Sequence, residues 1–287
     1  MTPLEKFNFF LSTYGRMFVA LFNVRLWPPF LLYLIVMMLI VLGVQSMFSP
    51  LLSGWVIPLV FSLMRVVSLG GTNPEFMLHY PGHLAGLPYA FQCSNVVPSL
   101  FLESLLTSTG VLMFVAYFRQ QSPDFGSSVR AASRYYGRIV LIWLVNVVLV
   151  MLLFTYLPGL FRDFVHGSPR REIALMIGMQ GLSALLSALF IYAIPYLVVR
   201  NRSLGACFAG SFSLFFKHFF TTYFLVGIPQ FVTLFLIIPL QSADTIVLKF
   251  NPGVVLWLTY GMAVMFALTS FFTTGSIVRF FLETSEE

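Results

Sequence analysis

Charge is what this chain has least of. Asp, Glu, Lys and Arg make up 9% of its 287 residues, against roughly 25% in an ordinary soluble domain. So few ionic groups cannot cover a water-facing surface, which argues against a soluble globular protein. Cysteine is nearly absent as well. Cys93 and Cys207 fall in separate loops, which excludes a disulfide framework and a CxxC metal or redox pair. HExxH, GxSxG, Walker and Rossmann patterns are missing, so nucleophilic and metal-assisted catalysis have no visible machinery. The expectation is a non-enzymatic protein without a cofactor. His79 and His83 stand four apart near Glu75, but Pro81 and Gly82 between them disfavour the regular helix that a zinc pair would need. His166 and His218 have no companions at ligand spacing. A cleavable leader is not expected, because the first apolar run begins near Pro28 and no small-residue cleavage site follows it.

What the chain has is apolar length. Hydrophobic residues are 59% of the total and the mean hydropathy is +0.90. Runs of about 20 nearly charge-free residues recur, each able to cross a hydrocarbon core of roughly 30 Å at 1.5 Å per residue. Spans are expected over 30–48, 100–118, 139–160, 174–199, 219–240 and 254–281. The fifth should kink at Gly227, Ile228 and Pro229. The connection 49–99 is the longest. Within it, 51–69 contains Pro58 and Arg65 and reads as a re-entrant or interfacial helix, with a seventh span as the alternative. Pro81, Gly82, Gly86 and Pro88 are expected to break up the rest.

Between the spans lie amphipathic stretches. In 1–25, Leu4, Phe7, Leu11, Tyr14, Phe18 and Leu21 recur at helical steps. In 119–138, Phe125, Val129, Ala132 and Tyr136 oppose Ser127, Arg130 and Arg134. In 203–218, Leu204, Phe208, Phe212 and Phe215 oppose Ser203, Gly210, Ser213 and Lys217. Such helices suit the interface plane of a membrane, with aromatics among the acyl chains. The resulting fold class is all-α: a polytopic bundle of six spans forming a single membrane domain over 1–287. It reads as three repeats of elbow plus two spans (1–118, 119–199 and 200–287).

The net charge of +6 could suggest nucleic acid. The cations, however, sit in short connections beside apolar runs, where topology and anionic headgroups account for them. With a cytoplasmic N-terminus, 11 of the 16 Lys and Arg fall inside and 5 outside, in line with the positive-inside rule. Both termini are then cytoplasmic and 49–99 extracytoplasmic. A seventh span would spoil that balance. Arg16, Arg25, Arg130, Arg134, Arg138, Arg200, Arg202 and Lys217 are the candidate headgroup contacts. An impermeant thiol reagent should then reach Cys93 and not Cys207.

The even-numbered spans carry small and hydroxyl residues: Thr107, Ser108 and Gly110; Gly178, Gly181, Ala184 and Ala188; Ala263, Ala267, Ser270 and Thr274. Small residues let helices approach closely, so spans two, four and six are expected inside and one, three and five towards lipid. Glu103 is the acid within a span, a candidate ion or proton site, with a position at the interface as the alternative. Gln180 and Asn146 read as helix-to-helix hydrogen-bonding groups.

From 194 to 220 the chain shows Pro195, Val198-Val199, a polar turn Arg200-Asn201-Arg202, an Ala/Ser-rich elbow, and Lys217-His218-Phe219-Phe220. This order resembles the YciC-like bacterial inner-membrane proteins and the membrane domain attached to some glycerophosphodiester phosphodiesterases. The resemblance implies a six-span membrane domain in the bacterial inner membrane and carries over no catalytic residue. The expected function is lipid handling, membrane organisation or scaffolding. Expected partners are membrane lipids and, beyond them, other membrane proteins or further copies of the chain. The alternative is a transporter or channel for an apolar or amphiphilic solute along Glu103, Thr107, Ser108, Gln180, Ser270 and Thr274.

Overall fold

The computed structural model describes residues 3–46, 54, 55, 57, 58, 62, 81–161, 164 and 167–285. Among them every regular element is helical and no strand occurs. The principal helices are α1 (Pro3–Leu21), α2 (Pro28–Gln45), α3 (Gly82–Pro98), α4 (Ser104–Phe118), α5 (Phe125–Ser133), α6 (Tyr136–Leu160) and α7 (Pro169–Phe190). They continue with α8 (Ala193–Val198), α9 (Leu204–Lys217), α10 (Phe219–Val232), α11 (Leu234–Gln241), α12 (Ala243–Lys249) and α13 (Gly253–Ser285). Among the described residues five helices are long and apolar enough to cross a membrane, and six if the bent pair α10 and α11 is one span. The protein is a multi-pass, all-helical membrane protein.

Local chemistry explains most boundaries. Pro28 and Pro29 open α2, where the first N–H groups have no helical partner in any case. Asp124 caps α5 by accepting from the Ser127 amide at 2.7 Å. Its carboxyl is held below the usual range by the Ser127 hydroxyl and amide.

The structure departs from expectation in four places. The helix containing span two begins at Gly82, not near 100: α3, a π-helical turn (Ser99–Glu103) and α4 run continuously over 37 residues. Pro81 lies just before the helix, where it is tolerated, and Pro88 is carried inside it. Pro98 lacks the N–H that would bond to Ser94, and the chain widens into the π turn directly after it. The 37 residues of this helix exceed the roughly 20 that a hydrocarbon core of about 30 Å takes.

The second departure is the bend in span five. It falls between Val232 and Leu234, with an angle of 45°, and not at 227–229. Pro229 does free the Leu225 carbonyl, but the Tyr14 hydroxyl donates to it at 3.5 Å and α10 continues. Third, both cysteines lie on helices and are buried, Cys93 on α3 and Cys207 on α9. A thiol reagent would reach neither in the folded chain.

Fourth, burial follows the even-inside expectation only partly. The most apolar windows of the second and fourth spans are 56% and 50% buried and that of the third 11%, but the sixth matches the first at 33%. In α13 burial is concentrated late: Thr274 to Phe281 are buried without interruption, on every face of the helix. The stretch 51–69 lies outside the described residues apart from five helical positions, and His79, Arg162 and Asp163 lie outside them as well.

The chain divides into two compact units: one of 1–31, 100–232 and 268–287, the other of 32–99 and 233–267. In the first unit, Phe271 is the hub of an aromatic cluster. Trp27 stacks on it at 4.6 Å, and Phe30 and Phe114 meet it edge-on at 5.2 and 5.1 Å. Two glycines make this packing possible. A Cβ at Gly110 would lie 2.8 Å from the Phe30 ring, and one at Gly275 would collide with Met17 and Phe114. In the second unit α3 packs on α12. Tyr33 and Asn95 exchange hydrogen bonds at 3.2 and 3.0 Å, and Tyr260 reaches Gln45 at 3.4 Å.

Candidate functional site

The two units differ first in charge. The second contains Arg65 and Lys249 against Glu75 and Asp244, so the whole net charge of +6 belongs to the first. Arg16, Arg25, Arg119, Arg130, Arg134, Arg138, Arg200, Arg202 and Lys217 are all in the first unit and all exposed. Acids are sparse around them: residues 104–161 hold four Arg and one acid, Asp124, and residues 200–217 hold three cations and none.

These cations are carried on or beside the three amphipathic helices, which share one apolar core. Met17 and Ala20 of α1, Phe125 of α5, and Leu204 and Cys207 of α9 belong to the same cluster as Phe30, Phe114 and Phe271. Each of the three runs back along a longer helix, a geometry that the spacing did not anticipate. Helix α1 is antiparallel to the end of α13, with Phe9 against Phe280 (5.5 Å), Ser12 against Arg279 (3.1 Å) and Phe18 against Phe272 (5.2 Å). Helix α5 packs along α4, and just beyond it the Tyr136 hydroxyl donates to the Phe101 carbonyl in the π turn at 3.2 Å. Helix α9 lies against the end of α7 and α8. Ser211 Oγ donates to Leu189 O at 2.7 Å, Phe208 and Phe212 flank Phe190, and Tyr196 covers Gly210.

On the face of α1 that the spacing marks for lipid, Leu11 and Phe18 are 52% and 57% exposed, while Tyr14 and Leu21 are half-buried against the core. Arg130 and Arg134 of α5 and Lys217 of α9 point outward, while Ala132, Cys207 and Phe215 are buried. Arg202 lies over the Tyr196 ring at 5.3 Å. Burial pushes the Cys207 thiol up, against the pull of Arg202 and Arg138.

The turn after α1 and the turn after α4 border an open cleft of about 630 Å³. It is lined by Asn23, Arg25, Tyr117, Gln120, Gln121, Ser122 and Pro123. Arg25 Nη1 donates to Ser122 Oγ at 3.0 Å, and the Arg25 amide donates to Asn23 Oδ1 at 3.1 Å. Gln120 has a φ of 58°, a left-handed conformation that turns the chain sharply at the end of α4. Trp27 Nε1 donates to Leu21 O at 2.8 Å, tying the first turn together.

One functional-looking residue escaped the sequence reading except as a counted charge. Arg279 is 5% exposed. Its Nε pairs with Glu283 at 3.2 Å, its Nη2 donates to Ser12 Oγ, and its guanidinium covers the Phe9 ring at 5.4 Å. Nη1 is buried with no hydrogen-bond acceptor. The four-residue spacing to Glu283 on one helix was a legible signal.

The candidate interior residues lie on the π turn and on α4, α7 and α13. Ser108 commits its hydroxyl to Ser104 O at 2.8 Å, and Gln180 donates to Gln230 O at 3.4 Å near the end of α10. Thr107 and Thr274 are buried, Ser270 is half-buried, and Glu103 is half-buried at the last position of the π turn. Gly181 meets Tyr223 and Ala188 is fully buried, as close packing requires, whereas Gly178 faces open space. His83 lies half-buried on α3, and among the described residues no cluster of three metal-ligating side chains occurs. Comparison of the chain with protein-family models, with curated proteins and with solved structures found no match.

Proposed function

We propose that this is a non-enzymatic membrane protein of the bacterial inner membrane that binds and organises anionic lipid. The observation that supports it is the separation of charge: the entire positive excess lies in the unit where three amphipathic helices share one core, with nine cations exposed around them. An exposed Arg or Lys near an anionic membrane surface contributes about 1 kcal/mol of attraction. In this reading each elbow and the two spans that follow it form one repeat, and both termini are cytoplasmic. Helix α5, with Arg130 and Arg134 exposed, then keeps the part of α4 that it covers in the headgroup region, because hydrocarbon does not accept those charges.

The test is lipid identification after mild-detergent purification from native membranes. Anionic phospholipid should be enriched several-fold over its bulk share, and replacing Arg130, Arg134, Arg138 and Arg202 together by Gln should lower the enrichment. A wild-type chain carrying lipid in bulk proportion would refute the proposal.

A further inference from the structure

The cleft between the turns after α1 and α4 has a composition of its own within the basic unit. Three primary amides (Asn23, Gln120, Gln121), one hydroxyl (Ser122), one phenol (Tyr117) and one guanidinium (Arg25) line it, and no carboxylate does. Asp124, the acid next in sequence, is turned away to cap α5. A lining with one fixed positive charge matches one negative charge. Amides both donate and accept, which suits hydroxyl groups, and no carboxylate is present to receive an ammonium. The surroundings are amphiphilic: Phe22 and Val24, the chain neighbours of the lining residue Asn23, are 83% and 78% exposed, so a ligand with its polar part in the cleft would lay apolar chains on apolar side chains.

We propose that this cleft binds the headgroup of an anionic phospholipid, a phosphodiester carrying hydroxyl groups, with Arg25 on the phosphate and the amides and Ser122 on the hydroxyls. This rests on the lipid reading above and assigns it a discrete site. Arg25 is held towards the cleft by its bond to Ser122, and a guanidinium can meet two phosphate oxygens at once. A soluble polyol phosphate would offer the same chemistry without the acyl chains.

Native mass spectrometry of the full chain in mild detergent tests it, using an equimolar mixture of phosphatidylglycerol and phosphatidylethanolamine with identical chains. The wild type should retain phosphatidylglycerol over phosphatidylethanolamine by about fivefold or more, and Arg25→Gln should lower that retention about tenfold. Arg25→Lys should recover part of it, because it keeps the charge and loses the fork. Arg130→Gln, outside the cleft, removes one of several exposed cations and should lower retention far less than Arg25→Gln. Failure of displacement by millimolar glycerol 3-phosphate assigns the site to lipid. Displacement would keep the phosphate chemistry and overturn the membrane as its source. Equal loss in Arg25→Gln and Arg130→Gln would overturn the cleft while leaving diffuse lipid attraction standing. Equal retention of both lipids by the wild type would overturn both proposals.

Discussion

The first unit and the second are built from the same helical material and differ in what their polar groups do. In the second, Tyr33 with Asn95 and Tyr260 with Gln45 tie helices by neutral bonds, and the two cations balance the two acids. In the first, cations outnumber acids, most of the cations are exposed, and the core beneath is dense with aromatic rings and tight glycines. Neutral pairs hold helices together in any surroundings. An uncompensated set of cations is tolerated only where water, salt or anionic groups screen it. On the proposed lipid reading, the contrast assigns the anionic surface to the first unit.

The largest expected effect tests the tightness of the two cores. Gly275→Ala in the first unit should destabilise by about 3 kcal/mol, because Met17 and Phe114 occupy the space that the methyl needs. Gly261→Ala in the second unit meets Leu236 at an ordinary 3.5 Å and should be neutral or stabilising by up to about 1 kcal/mol through helix propensity. Thermal unfolding in detergent measures both. Equal losses would remove the distinction in packing.

Charge is next. Arg279→Met should lower stability by about 2–3 kcal/mol, since it unties α1 from α13 and leaves Glu283 without its partner. Glu283 is half-exposed, which keeps the loss below that of a fully buried pair. Lys249→Met, at an exposed position in the second unit, should stay within about 0.5 kcal/mol. A comparable loss at both positions would mean that burial of Arg279 carries no special weight.

The smallest effect is local and depends on pH. The Asp124 carboxyl titrates below the ordinary Asp value in the folded chain. Its cap is therefore fully present above the unfolded value of about 3.9 and is lost as pH falls through the lower, folded value. Amide exchange at Ser127 and Ser128 should speed up in that acid window in the wild type. In Asp124→Asn, which keeps an oxygen acceptor but has no carboxyl to protonate, the rates should hold their pH trend. An identical acid response in both chains would mean that another group controls the start of α5.

Much of this was legible before any coordinates. Of the six apolar runs, five correspond to helices long and apolar enough to cross a membrane and the fifth run to the bent pair α10 and α11, with the ends of the third, 136–160, nearly as read. The amphipathic helices were legible from spacing, and their outward cations stand where the pattern put them. The continuity of α3 into α4 was not, because Gly86 and Pro88 look like breakers, whereas packing of Leu87, Ala90 and Phe91 holds the helix through them. The bend in span five moved past Pro229 because Tyr14, more than 200 residues away in the chain, supplies a donor to the carbonyl that proline frees.

Membrane insertion was determined by sequence alone, because transfer of apolar side chains into hydrocarbon sums over local residues and needs no partner. The sign and amount of charge were likewise settled by composition. Only the tertiary structure decided which arginine is buried, which glycines cannot accept a methyl, and that Asn23 and Arg25 share a cleft with residues nearly a hundred positions later. Those are properties of approach between distant segments, and no local pattern encodes the distance between two helix faces.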